Sequence, residues 1–173
     1  RYTERSYLFV KVNPVTEVDQ ASSSVDVTLE INERPQVYVN QIEILGNART
    51  RDKVIRREIR LTEGDVFNSA LVQESRRNIE ALGYFEEVRF EPKRTPVADR
   101  VNVAVEVKEK PTGAFSIGGG FSSTDGLLAA ASISQSNLFG YGKAAGLTGQ
   151  YGENASRINA VFTDPHFQDT NFV

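Results

Sequence analysis

Charged side chains nearly disappear from the sequence after Pro111, and this change limits what the chain can fold into. Lys, Arg, Asp and Glu account for 37 of the first 111 residues but for only 6 of the last 62. Glycine changes in the opposite direction, with 3 residues before this point and 10 after it. A surface that faces water on all sides needs charge. Residues 112–173 are therefore predicted to have one face that is not in water.

Apolar side chains recur at every second position after Pro111, which indicates strands. The longest purely apolar run, residues 127–131, is far shorter than the roughly 18–20 residues that a transmembrane helix needs. Segments with the length of a tilted transmembrane strand, about 9–11 residues, are present instead. They are residues 113–122, 127–137, 143–151 and 156–163. We expect one face of these strands to meet lipid and the other to meet the lumen of a β-barrel.

Turn-forming residues separate the four segments. Residues 122–126, 140–142 and 152–155 are rich in Gly, Asn, Asp and Ser, which tolerate the backbone angles of tight turns. The segments therefore predict four antiparallel strands in sequential order. The smallest membrane barrels have about 8 strands, and an open edge in lipid leaves backbone groups unpaired. We expect the sequence to be a fragment that holds only part of a barrel.

An internal repeat divides the charged part of the chain. Residues 25–35 match residues 101–111 at a spacing of 76, and both copies end in Glu, a basic residue and Pro. Residues 7–12 resemble residues 84–90, with Val10 and Lys11 matching Val88 and Arg89 at a spacing of 78. The repeat predicts that residues 1–35 are the C-terminal part of one domain and that residues 36–111 are a complete second copy. Residues 112–173 then form the barrel strands.

The complete copy is predicted to have the order β-α-α-β-β. A strand over residues 37–45 precedes a helix that is capped by Thr50 and reaches about Arg60. Asn68 or Ser69 can cap a second helix, and Gly83 suits the left-handed position after its end. Two strands follow, over residues 85–91 and 101–108, joined by a loop that holds Pro92 and Pro96. Two helices on one face of a three-stranded sheet give an α+β domain with a modest core.

Composition argues against several classes of function. The chain has no Cys and a single His, His166, so thiol chemistry, disulfides and most metal sites lack residues. The glycines of residues 118–120 and 140–142 match neither the spacing nor the helix context of a phosphate-binding loop. No basic patch indicates nucleic acid. We predict a protein that is not an enzyme and that uses no cofactor.

Several motifs resemble the BamA-type outer-membrane assembly family, in which polypeptide-transport-associated (POTRA) domains precede a barrel. They are Ile44-Leu-Gly-Asn47, Arg56-Arg-Glu58, Glu63-Gly64, Leu82-Gly-Tyr-Phe85, the run from Val107 through Thr112-Gly113 to Phe121, Asn137-Leu-Phe-Gly-Tyr-Gly142 and Thr163-Asp-Pro-His-Phe167. The resemblance covers nearly the whole chain. It implies the end of a penultimate POTRA domain, a complete final POTRA domain in the periplasm, and barrel strands 1–4 in the bacterial outer membrane.

The resemblance also implies a function and a site. Members of the family insert and fold other β-barrel proteins, and their first barrel strand forms a lateral gate that accepts client strands. The gate residues here would be Gly113, Phe115, Ile117, Gly118, Gly119, Gly120 and Phe121. The glycine run would weaken the seam, because glycine adds no cross-strand packing and costs backbone entropy. An alternative is that these glycines only relieve barrel curvature.

A second site is implied on the complete POTRA domain. Glu63 corresponds to a position through which family members contact the accessory lipoprotein BamD, and Arg56 and Arg57 lie nearby. The alternative is a solvated carboxylate that pairs locally with arginine. Residues 85–91 are a candidate edge for unfolded barrel clients. That strand could equally be an ordinary edge protected by its charges.

Two other functions stay open at the level of the sequence. A polypeptide-secretion pore of the two-partner type belongs to the same superfamily and passes its substrate through the lumen. A purely periplasmic scaffold could use the same POTRA module, although the strands after Pro111 argue against it. Insertases usually carry more POTRA domains than such pores, whereas this sequence shows only that at least two are present.

Overall fold

The structure, a computed structural model, describes residues 11–19, 24–32, 36–124, 126–154 and 156–166. Nine strands and two helices follow one another in these ranges. They are β1 (Lys11–Asp19), β2 (Ser24–Asn32), β3 (Tyr38–Leu45), α1 (Asp52–Arg56), α2 (Ser69–Ala81), β4 (Phe85–Arg94), β5 (Arg100–Glu109), β6 (Gly113–Ser122), β7 (Gly126–Leu138), β8 (Lys143–Gly152) and β9 (Ser156–Thr163). The repeat segment at residues 7–12 lies mostly outside the described residues, as does Phe167, the last residue of the motif that begins at Thr163.

The strands form three sheets. β1 and β2 pair as an antiparallel hairpin, and β3, β5 and β4 form a mixed sheet in that order with β3 parallel to β5. β6, β7, β8 and β9 form an antiparallel sheet in sequence order. The predicted β-α-α-β-β order of the complete copy and the four sequential strands after it are confirmed.

The hydrophobic core lies within residues 37–107, between the mixed sheet and the two helices. Ile55 of α1 and Ile79 of α2 are fully buried, together with strand residues that include Val39, Val103 and Val105. Ser75 is also buried, but its hydroxyl donates to Leu71 O (2.7 Å) and accepts from Arg60 N (2.8 Å). These two hydrogen bonds compensate for the water that the Ser75 hydroxyl loses on burial.

The first helix is shorter than predicted. α1 covers only Asp52–Arg56, and the residue at its N-cap position, Arg51, makes no side-chain cap. The prediction that Thr50 caps a helix reaching Arg60 is wrong. The Thr50 hydroxyl instead accepts a hydrogen bond from Asn137, a residue 87 positions away, so a long-range contact replaces the local cap.

The second helix and the turns follow the predictions more closely. Asn68 accepts from Ala70 N (2.8 Å) as the cap of α2, and Gly83 has a positive φ of 74° after its end. The prediction that Pro92 lies in a loop is wrong, because β4 continues through it to Arg94. Proline is compatible with this position because β4 is an edge strand, where one N–H needs no partner.

The register of the four-stranded sheet separates two faces. Rows of register partners such as Phe115, Ile133 and Leu147 line one face, and rows such as Ser116, Ser132 and Thr148 line the other. Large apolar side chains on the first face are solvent-exposed, with Ile117 at 75% and Ile158 at 80%. On the second face, Ser116 and Ser132 share a hydrogen bond of 2.7 Å. The sheet therefore has one apolar face and one face of small and polar residues.

Truncation of a core residue should destabilise the α+β domain, whose core is contained in residues 37–107. We expect Ile79→Ala in a segment of residues 36–111 to lower the free energy of unfolding by about 3 kcal/mol, since removal of most of a buried aliphatic side chain leaves a cavity. Urea denaturation measures this, with Arg77→Ala on the exposed side of the same helix as the control. Equal midpoints for the two variants would contradict the assigned core.

Candidate functional site

The predicted gate strand, β6, forms one edge of the four-stranded sheet. It pairs with β7 from Gly113↔Gln135 to Ser122↔Gly126 without a register shift. In the part of the chain that the structure describes, its other edge pairs with no strand. β6 contains neither proline nor a charged residue. It therefore presents a regular row of backbone donors and acceptors.

The glycine run at the centre of β6 is open on both sides. A Cβ at Gly118 or Gly120 would meet nothing within 4 Å, and one at Gly119 would make an ordinary contact of 3.5 Å with Leu128 O. None of the three has a positive φ, so neither close approach nor turn geometry requires glycine there. The consequence of the run is a strand segment without side chains to pack across the sheet.

By contrast, the outer edge of β3 is closed by the chain itself. Residues 64–67 run along it, with hydrogen bonds from Gly64 N to Val39 O (2.7 Å) and from Val39 N to Asp65 O (2.8 Å). Further along, Glu63 Oε1 accepts from Ile42 N (2.8 Å). Two of the predicted partner-binding residues, Glu63 and Arg56, thus lie beside this edge, since the Arg56 guanidinium contacts Ile42 O at 3.4 Å. Asp52 binds the same guanidinium and raises the pKa of Arg56.

The free edge of β4 is blunted in a different way. Arg76 donates to Val88 O (3.1 Å), Pro92 has no N–H to offer, and the register with β5 shifts between Phe85 and Glu87. Charged residues fill most of the remaining positions of the strand. Such devices are typical of edges that avoid pairing with other strands. The structure favours the protected-edge interpretation of residues 85–91.

The turn between β7 and β8 docks onto the α+β domain, a contact that the sequence did not predict. Asn137 lies at its centre: its side chain donates to Thr50 Oγ1 (2.8 Å) and accepts from Gly142 N (2.8 Å). Arg51 N donates to Gly140 O (3.0 Å), and the Arg51 guanidinium stacks 3.7 Å from the centre of the Tyr141 ring. We call this contact the domain joint. Residues 49–57 and Tyr84 form its side in the α+β domain, and residues 137–142 form the other side.

Two glycines make the domain joint possible. Gly140 and Gly142 have φ values of 75° and 73°, and a Cβ at Gly140 would clash with the backbone carbonyl of Arg49. A Cβ at Gly142 would lie 2.8 Å from Arg57 Nη2 and 3.2 Å from Val54 Cγ1. The presence of two glycines in one short turn was the sequence signal that could have indicated this contact, because glycine allows another segment to approach the backbone closely.

Arg57 lies against this joint. Its Nε and Nη2 atoms are buried without a hydrogen-bond partner, and Nε is 3.4 Å from Glu58 Oε1. The neighbouring Tyr84 hydroxyl donates to Gly142 O (3.3 Å). Burial raises the pKa of Tyr84, although the charge of Arg57 acts in the opposite direction. Arg57, predicted to help bind an accessory protein, thus has two guanidinium nitrogens buried, one of them beside Gly142 of the β7–β8 turn.

The end of β9 reaches the same region. His166 Nε2 is 3.9 Å from Glu58 Oε1, and Lys143 Nζ is 2.9 Å from Asp164 Oδ2. The hydrogen bond from Lys143 lowers the pKa of Asp164, which also accepts from His166 N. The α+β domain therefore contacts both the β7–β8 turn and the residues that follow β9.

The described ranges contain no group of three or more His, Asp or Glu side chains arranged to hold a metal ion. None of their helices combines the length and hydropathy needed to cross a bilayer.

The fold defines a class: a POTRA-type α+β domain followed directly by four strands with one apolar face. A family model described as "POTRA: Surface antigen variable number repeat" matches residues 37–110. The outer membrane protein assembly factor BamA of Neisseria meningitidis is 35% identical over 94% of this chain and 20% of that protein. BamA of Nitratidesulfovibrio vulgaris is 34% identical over 97% of this chain and 21% of that protein.

A solved structure agrees with these relatives. The crystal structure of BamA from Haemophilus ducreyi lacking POTRA domains 1–3 superposes with a TM-score of 0.80 at 28% identity, covering 95% of this chain and 31% of that one. The chain belongs to the BamA/Omp85 family and comprises a POTRA domain and a portion of the barrel. It belongs to the outer membrane, with its POTRA domain in the periplasm. The chain spans about a fifth of the length of the curated relatives it matches.

A side chain at Gly140 should separate the barrel turn from the POTRA domain, because the Arg49 carbonyl occupies the position of its Cβ. We expect Gly140→Ala to increase hydrogen exchange at the Arg51 amide, which donates a hydrogen bond to Gly140 O in the wild type. The matched control is Gly118→Ala, where an added Cβ meets nothing within 4 Å. Unchanged protection of Arg51 in Gly140→Ala would show that the joint does not depend on this glycine.

Proposed function

We propose that this chain is the segment of an outer-membrane assembly factor that receives client β-strands on the free edge of β6. The observation that carries the proposal is the contrast between edges. The chain closes β3 with its own residues and blunts β4, whereas β6 is regular, uncharged and free of proline. The role of the relatives in outer-membrane protein assembly supports it.

Hydrocarbon strengthens the tendency of such an edge to pair. Each backbone N–H or C=O left without a partner in lipid costs several kcal/mol, since no water can replace the missing bond. An incoming strand that pairs with β6 removes this cost from both strands at once. Strand addition therefore needs no external energy source, and the function is non-enzymatic.

We assign the role to β6 rather than to β9, which has the other free edge of the sheet within the described residues. β9 carries Arg157, and β6 has the three consecutive glycines at its centre. A glycine segment packs weakly against any partner strand, so a seam at β6 can open and accept a client. The gate residues in this proposal are Gly113, Phe115, Ile117, Gly118, Gly119, Gly120 and Phe121.

The secretion pore remains the second candidate. It shares the POTRA and barrel architecture, and the lumen-side face of small and polar residues would suit passage of a polypeptide. The relatives that match nearly the whole chain are assembly factors, which favours insertion over secretion.

Stiffening of β6 should slow client insertion. We expect Gly119→Val with Gly120→Val to reduce the insertion rate, because valine adds cross-strand packing at positions where the structure has room for a side chain. The rate is measured with the full-length protein in vesicles. Gly149→Val, at an equally open position within the interior strand β8, is the matched control. If the β6 pair inserts clients at the wild-type rate, the glycines only relieve curvature.

We further propose that Glu63 and Arg56 contribute to binding of an accessory lipoprotein of the BamD type. Both lie at the surface beside β3, next to Ile42. Membership in the family supports a role within an assembly complex. Arg57 would act through the domain joint, since two of its guanidinium nitrogens are buried there.

A pair of substitutions separates the partner contact of Glu63 from its contact with β3. Glu63→Gln keeps an oxygen that can accept from Ile42 N but removes the charge, whereas Glu63→Lys removes both. We expect both variants to co-purify less of the lipoprotein, and only Glu63→Lys to lower the unfolding temperature. Full co-purification with Glu63→Gln would mean that the carboxylate serves β3 rather than a partner.

We also propose that residues 1–35 end a penultimate POTRA domain, that residues 36–111 are the final one, and that residues 112–173 are barrel strands 1–4. The β1–β2 hairpin supports the first boundary, because β2 lies 76 residues before β5 in the repeat.

Cooperative urea unfolding of residues 36–111 alone is expected, and a gradual transition would contradict these boundaries.

A further inference from the structure

A groove of about 410 Å³ lies where β6 and β7 meet the POTRA domain. Arg49 of the POTRA domain, Glu109 and Lys110 of the segment before β6, and Gln135 and Phe139 of the barrel portion line it. The function proposed above uses the free edge of β6 and assigns no ligand to this groove, although Gly113 at the start of β6 also lines it. Its occupant can be inferred from its position and its charge.

The groove opens at the end of the apolar face. Gly113 and Gln135 are register partners, two residues before Phe115 and two after Ile133 on the same face. The row continues through Ala145 to Phe162, which is 62% exposed. Beyond this row the charged POTRA domain begins, so hydrocarbon ends here and lipid headgroups are expected at this depth.

The charge in the groove is positive. Arg49 and Lys110 are exposed, and neither side chain forms an ion pair with another described residue. The one carboxylate, Glu109, accepts hydrogen bonds from Arg49 N (3.0 Å) and Thr50 N (2.6 Å). These backbone donors partly compensate its charge, so two cations remain available to an anion.

Phe139 adds an apolar anchor. Its side chain is 82% exposed, and its φ of 52° lies in the left-handed region, which a bulky residue adopts only at a cost. The docked turn holds this conformation, with Gly140 fixed by Arg51 N. Exposed aromatic rings at the rim of membrane barrels are typical of the layer between hydrocarbon and water.

We propose that this groove binds an anionic phospholipid of the leaflet on the POTRA side, with its phosphate between Arg49 and Lys110 and the Phe139 ring against its acyl chains. The bound lipid would link the POTRA domain to the bilayer beside the base of the gate strand. Charge complementarity and continuity with the apolar face distinguish a lipid from a protein partner as the occupant.

Photo-cross-linking tests the occupant directly. A benzophenone amino acid replaces Phe139 in the full-length protein, which is reconstituted in vesicles of phosphatidylglycerol and phosphatidylcholine, with and without an unfolded client. Mass spectrometry is expected to find a phospholipid adduct at position 139. The same label at Val97, exposed in the β4–β5 loop, is expected to give none. A client adduct instead of a lipid adduct, or no adduct, would overturn the proposal.

Charge removal tests the phosphate site. Arg49→Gln with Lys110→Gln should reduce retention of phosphatidylglycerol in native mass spectra by up to about thirtyfold at low salt, from roughly one kcal/mol per basic residue. Lys93→Gln with Lys108→Gln, both exposed and paired with Glu106 and Glu86, is the charge-matched control. Equal retention by both double variants, or displacement of the lipid by millimolar inorganic phosphate, would show that no lipid site exists here.

Discussion

Backbone groups that face hydrocarbon must find partners within the protein, and this constraint governs the C-terminal part of the molecule. It explains why residues 113–163 form a continuous antiparallel sheet, although the large apolar side chains on one face of that sheet are exposed rather than packed in a core. It also explains why the free edge of β6 would favour pairing with another strand in lipid. In water the same edge would bond to solvent at little cost, as the edges of a soluble sheet do.

The POTRA domain is subject to the opposite requirement. Its sheet edges lie in water among other chains, where an open edge invites unwanted pairing. The chain closes β3 with residues 64–67 and Glu63, and it blunts β4 with Arg76 and Pro92. Under the proposed function, the protein thus protects its sheet edges in water and offers in lipid the edge of β6, which has no partner strand within the described residues. The domain joint holds the two parts together through Asn137, Gly140 and Gly142.

Sequence patterns predicted the elements well where the cause is local. Strand alternation identified β6 and β9 at their observed bounds, and Asn68 and Gly83 marked the ends of α2. The Thr50 prediction failed because Asn137, far away in sequence, donates a hydrogen bond to the Thr50 hydroxyl. The Pro92 prediction failed because proline breaks only strands that need its N–H, and an edge strand does not.

The sequence by itself determined the change of composition at Pro111, the β-α-α-β-β repeat and the glycine-rich strand, since periodicity and composition can be read directly from the order of residues. Only the tertiary structure decided that Arg57 faces the barrel turn, that Glu63 closes β3, and that Arg49, Lys110 and Phe139 share one groove. These facts depend on which backbone segments approach one another. Contacts between residues that lie roughly 20 to 90 positions apart leave no periodic signal that a single sequence can reveal.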